Sequence, residues 1–270
     1  MALSPLLAGY DQVVLDLDGC VWLGDEPTRG AAEAIAALRA AAKPVSFVTN
    51  DGGRSPEEFV RKLWSLGIQA SLEEVVTVGA AIQHLLAERG RGRGTYVIGS
   101  PAIFRHVSEA GQRIVNGSEQ AAEADLVVIA AHDDLHFAEL RAATQAVLAG
   151  AEMIAAGRDR TFPTDDGDWP GTGAIVAALE YATSRTASSV GKPNPQLFYT
   201  ALDRMGPGRT LVVGDRLDAD LAGADAAGLD AAIVLSGVTS RAAAEAAAEA
   251  AEEPSPVAIA DDLHALVVGD

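Results

Sequence analysis

Short apolar runs rich in β-branched residues alternate with helical segments along most of this chain, and that alternation restricts the fold more than any other feature. Residues 13–17 read VVLDL and close on Asp18 and Gly19; comparable runs follow at 45–48, 95–98, 126–130, 152–155, 211–213 and 231–235. Near-continuous apolar strands suit a sheet covered on both faces. Helical spacing or composition fills 31–42, 56–66, 78–89, 101–110, 136–149, 173–183, 195–205 and 218–227. Ser55-Pro56 and Ser100-Pro101 place a capping residue before proline at the first helical position. The pattern predicts an α/β fold: a doubly wound parallel sheet with right-handed crossovers.

Two stretches interrupt it. Residues 89–94 (RGRGRG) suit a helix exit and turn, and 157–173 reads as one long loop rich in Asp, Pro and Gly. A loop beyond about 12–15 residues is usually functional or marks a boundary. Residues 241–253, almost entirely Ala and Glu, read as a solvated helix.

Charge narrows the partners. Lys and Arg total 20 against 38 Asp and Glu, so the formal charge of −18 repels polyanions and argues against nucleic acid. An anionic substrate then needs local compensation by a divalent cation or a small basic cluster. The single cysteine, Cys20, excludes an internal disulfide and fits a reducing compartment. The opening MALSPLLAGYDQ lacks a basic signal-peptide region, and no stretch is long and apolar enough to span a bilayer, so no membrane role and a cytoplasmic location are expected.

In open parallel sheets ligands gather at the carboxyl ends of the strands, so the polar residues after each apolar run matter most. Four clusters stand there: Asp16-Leu17-Asp18-Gly19, Thr49-Asn50-Asp51-Gly52, Lys192 within Gly191-Lys192-Pro193, and Gly214-Asp215 with Asp218 and Asp220. Carboxylates at i and i+2 on an extended strand point the same way, which directs Asp16 and Asp18 into one cavity. Asp215 would complete a hard, oxygen-rich set of the kind that binds Mg²⁺. Thr49 with its neighbouring N–H groups, and Lys192, offer donors and positive charge to a phosphoryl group.

These clusters resemble the haloacid dehalogenase-like hydrolases, and within them the branch of nitrophenyl-phosphatases and phosphoglycolate, glycerol-phosphate and pyridoxal-phosphate phosphatases. The matching segments are DLDGCVWLGDEP at 16–27, FVTNDGGRSPEE at 47–58, PGTGAIV at 170–176, VGKPNPQLF at 190–198 and VVGDRLDADLAGADAAGL at 212–229. The resemblance implies a Rossmann-like core over 1–76 and 189–270 with an inserted α/β cap over 77–188. It implies that Asp16 is a nucleophile forming an aspartyl-phosphate and Asp18 a general acid and base. Mg²⁺ would sit on Asp16, the Asp18 carbonyl and Asp215, with Asp220 holding its waters. Thr49 and Lys192 would stabilise the transferring group, Asn50 assisting and Asp51 lying near the substrate. The implied partner is a small phosphorylated metabolite, glycerol 3-phosphate preferred over phosphoglycolate, pyridoxal phosphate or a nucleoside monophosphate, and the implied assembly is a homodimer through the cap. Cys20, Asp51-Gly52 and Ala219 depart from the family's commoner residues.

Plainer readings attach to each feature singly. A lone Asp-x-Asp is a common turn element, Thr49-Asn50 a common helix cap, and a single Lys192 a surface residue. Four clusters in order outweigh them. Asp218 reads as a helix cap; His132-Asp133-Asp134 with His136 reads as turn and cap chemistry rather than a metal cluster. Trp22 and Trp64 read as packing residues. Within 157–169, Arg158, Arg160, Phe162 and Trp169 are candidates for substrate selection, as is the turn at 131–134. A phospho-acceptor signalling module shares the acidic pocket, Thr and Lys, but needs only about 120 residues, and a phosphotransferase would keep the chemistry with another acceptor.

Overall fold

The computed structural model describes residues 3–164, 167–250 and 254–268. Its strands, in chain order, are β1 (Gln12–Asp16), β2 (Trp22–Leu23), β3 (Glu26–Pro27), β4 (Val45–Thr49), β5 (Val75–Thr77), β6 (Gly94–Ile98), β7 (Arg113–Ile114), β8 (Leu126–Ile129), β9 (Glu152–Ala155), β10 (Thr161–Thr164), β11 (Gly167–Pro170), β12 (Ser188–Ser189), β13 (Thr210–Gly214), β14 (Asp230–Val234) and β15 (Ala258–Ala260). The chain forms two compact units, one of Met1–Thr49, Pro56–Val76 and Lys192–Asp270, the other of Asn50–Ser55 and Thr77–Gly191.

The first unit holds a six-stranded sheet in the order β15-β14-β13-β1-β4-β5. Ranked by sequence from the β5 edge this is 3-2-1-4-5-6, the order of the dinucleotide-binding folds, with its reversal between β1 and β13. The recorded registers are parallel, with Leu15 opposite both Val213 and Phe47. Every residue of β1, β4 and β13 is buried, which explains why their sequences run apolar without alternation. Val13, Leu15, Phe47, Leu211 and Val213 share one core with Ile35 and Leu38 of helix Ala31–Ala40, Phe59 and Leu63 of helix Pro56–Ser65, and Leu263 of helix Leu263–Val267. Helix Gln196–Met205 packs against β1 and β4 through a buried face that includes Leu197, Phe198 and Ala201. The doubly wound sheet expected from the alternation is therefore present.

The second unit has its own parallel sheet, β12-β9-β8-β6-β7, ranked 2-1-3-4-5 from the β7 edge. Its core joins Ile98, Val127, Ile129 and Ala155 to Ala143 and Val147 of helix Phe137–Ala149 and to Ile175 and Leu179 of helix Thr172–Thr183. Beside the expected 77–188 interval, this unit also includes Asn50–Ser55 and runs on to Gly191. Ser100 Oγ donates to the Gly52 carbonyl at 3.1 Å, and β12 pairs with β9, which accounts for both additions.

Residues 157–173 were expected to form one irregular loop; instead β10 and β11 pair antiparallel there, Phe162 opposite Trp169. Thr161 in β10 and Trp169 in β11 are β-branched and aromatic residues that favour strands, a signal masked by the surrounding Asp, Pro and Gly. Other departures are smaller. β5, β7, β12 and β15 are too short to stand out in sequence, and the segment expected as one helix over 218–227 is a wide π turn, Leu217–Leu221, followed by helix Ala222–Ala226. The Ala/Glu helix spans Arg241–Glu249, and 251–253 lie outside the described residues. No helix among the described residues is long and apolar enough to cross a membrane.

Because β1 is packed on both faces, truncating its centre leaves a cavity that the sheet cannot close. Leu15→Ala is expected to lower the unfolding free energy by about 2–5 kcal/mol, read from denaturant titration.

Candidate active site

The reversal of strand order makes the chain depart in opposite directions after β1 and β13, opening a gap at their carboxyl ends. Asp16 is the last residue of β1 and Asp215 the first after β13. The π turn that follows returns Asp220 to the same place. Asp16, Asp215 and Asp220, all buried, each offer an oxygen within 4.8 Å of the others.

One lysine joins two of them. Lys192 Nζ, itself buried, donates to Asp16 Oδ1 at 2.5 Å and to Asp220 Oδ1 at 2.7 Å. Asp220 uses its other oxygen to accept the backbone N–H groups of Asp215 at 3.2 Å and Arg216 at 3.0 Å, and so fixes the turn after β13. Asp215 Oδ2 accepts the Val238 N–H at 2.6 Å, while its Oδ1 is buried with no hydrogen-bond partner among the described residues. The walls around Asp215 are backbone. A Cβ on Gly237 would lie 2.0 Å from Asp215 Oδ2, and one on Gly19, whose φ is +80°, 2.4 Å from the same atom.

The electrostatics follow from crowding. Burial, then repulsion from Asp220, pushes the Asp16 carboxyl well above the usual range in spite of Lys192. Burial also raises Asp215, opposed by the Val238 N–H and aided by Asp220. For Lys192 burial works against the charge, but Asp16 and Asp220 outweigh it and hold the ammonium above its ordinary value. Burial and then the neighbouring carboxylates push up the Cys20 thiol, which makes it a poor nucleophile.

Three carboxylates against one ammonium leave two negative charges in excess when all are ionised. Hard oxygen donors, that excess, and an orphaned buried oxygen on Asp215 together fit a divalent cation of the Mg²⁺ type.

Asp18 lies beyond the end of β1 rather than on it, so the alternation argument does not govern it: its side chain is exposed and Oδ1 accepts the Trp22 Nε1–H at 2.8 Å. The carboxylate that completes the trio is Asp220. Thr49 closes β4, the other neighbour of β1, and is buried. Asn50 and Asp51 belong to the second unit, where Asp51 Oδ1 accepts the Gly53 N–H at 2.7 Å and Oδ2 lies 3.7 Å from Arg54. Asp218 does not cap the turn as expected; both its oxygens receive the Arg216 guanidinium at 3.0 Å, and Asp220 satisfies the backbone there instead. His132 lies 3.3 Å from Glu139, which also accepts the His136 N–H at 2.8 Å, in keeping with turn and cap chemistry. Arg158 is engaged by Glu180 at 2.7 Å and by the Ala187 carbonyl at 2.8 Å. The Phe162 side chain lies outside the described residues.

Sequence reasoning passed over the Val238 amide, Gly237 and the polar role of Trp22. Ser236-Gly237 directly follows the apolar run at 231–235 and could have been read as a further strand-end cluster. Nothing in the spacing of Trp22 signals its bond to Asp18.

Known proteins resemble the chain over most of its length. A family model described as haloacid dehalogenase-like hydrolase matches residues 13–113, and a second, haloacid dehalogenase hydrolase-like, matches 189–266. The D-glycerol 3-phosphate phosphatase of Mycobacterium tuberculosis is 39% identical over 232 residues, which cover 86% of this chain and 64% of that enzyme's length. An acid sugar phosphatase of Staphylococcus aureus is 31% identical over 233 residues, 86% of this chain and 88% of that one. The magnesium complex of the M. tuberculosis glycerol phosphate phosphatase superposes with a TM-score of 0.88 at 37% identity, over 98% of this chain and 79% of that one. A p-nitrophenyl phosphatase from Archaeoglobus fulgidus gives 0.85 at 29%, over 94% and 97%. The chain belongs to the haloacid dehalogenase-like hydrolases. Each of these relatives is named a phosphatase.

The raised carboxyls set a direction for stability in the cation-free protein. Above about pH 4 the folded state holds protons on Asp16 and Asp215 that the unfolded chain has released, so stability falls as pH rises toward their raised values. Asp215→Asn removes one such group and relieves the other. With EDTA present, the variant is expected to gain on the native protein as pH rises above about 4, the ordinary carboxyl value; parallel melting curves over a pH series check it.

Proposed function

We propose that this chain is a magnesium-dependent phosphatase that hydrolyses a small phosphomonoester, glycerol 3-phosphate or a close analogue, through a phosphorylated Asp16. The observation that carries the reading is the buried meeting of Asp16, Asp215 and Asp220 on Lys192 at the reversal point of the sheet. The preference for glycerol 3-phosphate rests on the 39% identity to the M. tuberculosis enzyme, against 31% for the acid sugar phosphatase.

In this reading an Asp16 carboxylate oxygen bonds to phosphorus as the bond from phosphorus to the ester oxygen breaks, and Asp18 passes its proton to the departing alcohol. Asp18 then takes a proton from water as the water oxygen bonds to phosphorus and the Asp16–phosphorus bond breaks. Exposure suits Asp18 for this traffic; the fixed strand end and the Lys192 contact suit Asp16 for attack. Lys192, fixed against Asp16, balances charge on the transferring group, and the Thr49 hydroxyl is assigned to the same group, with Asn50 and Asp51 following it in the chain. Asp16, Asp215 and the Asp18 carbonyl would hold Mg²⁺, with Asp220 beside them, and the ion would supply positive charge to the phosphoryl oxygens. The buried lone thiol fits a reducing, cytoplasmic setting, and the resemblance extends to pairing of two copies through the second unit, which sedimentation checks.

A screen of phosphate esters with Mg²⁺ tests the reading. Release of phosphate from glycerol 3-phosphate and nitrophenyl phosphate is expected, and Asp16→Asn is expected to reduce it by about 10³-fold or more while the fold is retained. A stable aspartyl-phosphate without turnover would instead favour a signalling role. Separately, Mg²⁺ at about a hundred times its Kd should stabilise the native protein by about 2.7 kcal/mol, and Asp215→Asn should lose that gain.

A further inference from the structure

Asp18 and Trp22 form a pair whose geometry exceeds what packing requires. Trp22 is fully buried on β2, its ring stacked on Phe59 with centroids 6.4 Å apart and planes 5° from parallel. Lys62 Nζ stands 4.5 Å from the indole centroid and donates to the Gly24 carbonyl at 2.6 Å, with Asp25 3.4 Å away. Phe59 and Lys62 are three residues apart on helix Pro56–Ser65, so one helix face grips the indole and the turn of the β2–β3 hairpin together. The backbone closes the same loop: Trp22 N–H donates to the Leu17 carbonyl at 3.1 Å and Gly19 N–H to the Trp22 carbonyl at 2.7 Å.

A buried indole N–H needs an acceptor, and a backbone carbonyl would serve. Here it goes to the carboxylate of an exposed residue, which water would otherwise hydrate, so little folding stability is gained by the choice. What is gained is orientation: an exposed aspartate that would sample several rotamers is tied by Oδ1 to one of the most firmly held side chains in the unit. The indole is a donor only, so Oδ1 stays an acceptor and any proton on Asp18 must be carried by Oδ2.

We propose that Trp22 is a positioning residue that fixes the Asp18 carboxyl and leaves Oδ2 as its proton-carrying oxygen. The proposal rests on the phosphatase reading for what Asp18 does, not for the bond itself. Lys62 contributes by polarising the ring from which the N–H projects.

Leaving groups separate positioning from packing. Nitrophenolate departs without a proton, whereas an alkyl alkoxide needs one in the transition state. In Trp22→Phe, kcat/KM for an alkyl phosphate is expected to fall about tenfold more than for 4-nitrophenyl phosphate, a part of the 10²–10⁴ that a positioned acid supplies. Equal losses on both substrates, or no loss, overturn the proposal. Should the variant not fold, the indole resonances of the three tryptophans decide. With signals assigned through Trp64→Phe and Trp169→Phe, Asp18→Ala should shift the Trp22 N–H and remove its exchange protection; an unmoved signal overturns the proposal. A native protein that hydrolyses no ester would defeat the phosphatase reading and leave this second measurement standing.

Discussion

Everything at the head of the first sheet depends on one unfavourable arrangement made tolerable: three buried carboxylates sharing a single ammonium. Isolated charges in a low-dielectric interior are costly, and like charges a few ångströms apart more so. Lys192 offsets part of the cost by touching two of the three, and backbone N–H groups from residues 215, 216 and 238 offset more. The rest is carried by the sheet. With β1 and β13 packed on both faces, the carboxylates cannot swing apart without breaking the core beneath them. The strain of crowding is thus stored where a divalent cation relieves it, at Asp215 Oδ1, the oxygen left unmatched.

This divides labour between rigid and accessible groups. Asp16, on a strand end, is dry and fixed; Asp18, two residues later, has left the strand and meets solvent. In the proposed reaction Asp16 as the attacking group benefits from fixed geometry, whereas Asp18 as the proton carrier must reach water in each cycle. The turn through Gly19 changes burial within two residues, and the exposed carboxyl there accepts the Trp22 indole N–H.

The fold was legible because β1, β4 and β13 are buried on both faces, and that leaves a continuous apolar signature in VVLDL, VSFVT and TLVVG. Asp16, Thr49 and Asp215 were legible for the same reason, as polar residues at the ends of such runs. The expectation that Asp18 points with Asp16 into one cavity failed because a periodicity of two holds only while the strand continues, and β1 stops at Asp16. The Val238 amide left no trace because a backbone donor has no residue identity. The β10–β11 hairpin was hidden by composition, its strands carrying Pro163 and Pro170, which usually speak against pairing.

The second unit shows why the sheet alone does not make the site. It too is a parallel sheet with a reversal in strand order, between β6 and β8. The chain leaves those strands through Gly99-Ser100 and Ala130-Ala131-His132, and no carboxylate trio gathers there among the described residues. Instead Ser100 holds the Gly52 carbonyl, Thr172 Oγ accepts the Ala131 N–H and Glu139 accepts the His136 amide, so these groups close turns; His132 Nε2, 3.3 Å from Glu139, is buried without a hydrogen bond but has no acidic cluster around it among the described residues. A reversal supplies a gap in either unit. Chemistry needs residues entering it that are under-satisfied by their neighbours, and among the described residues Asp215 meets that condition with a buried carboxylate.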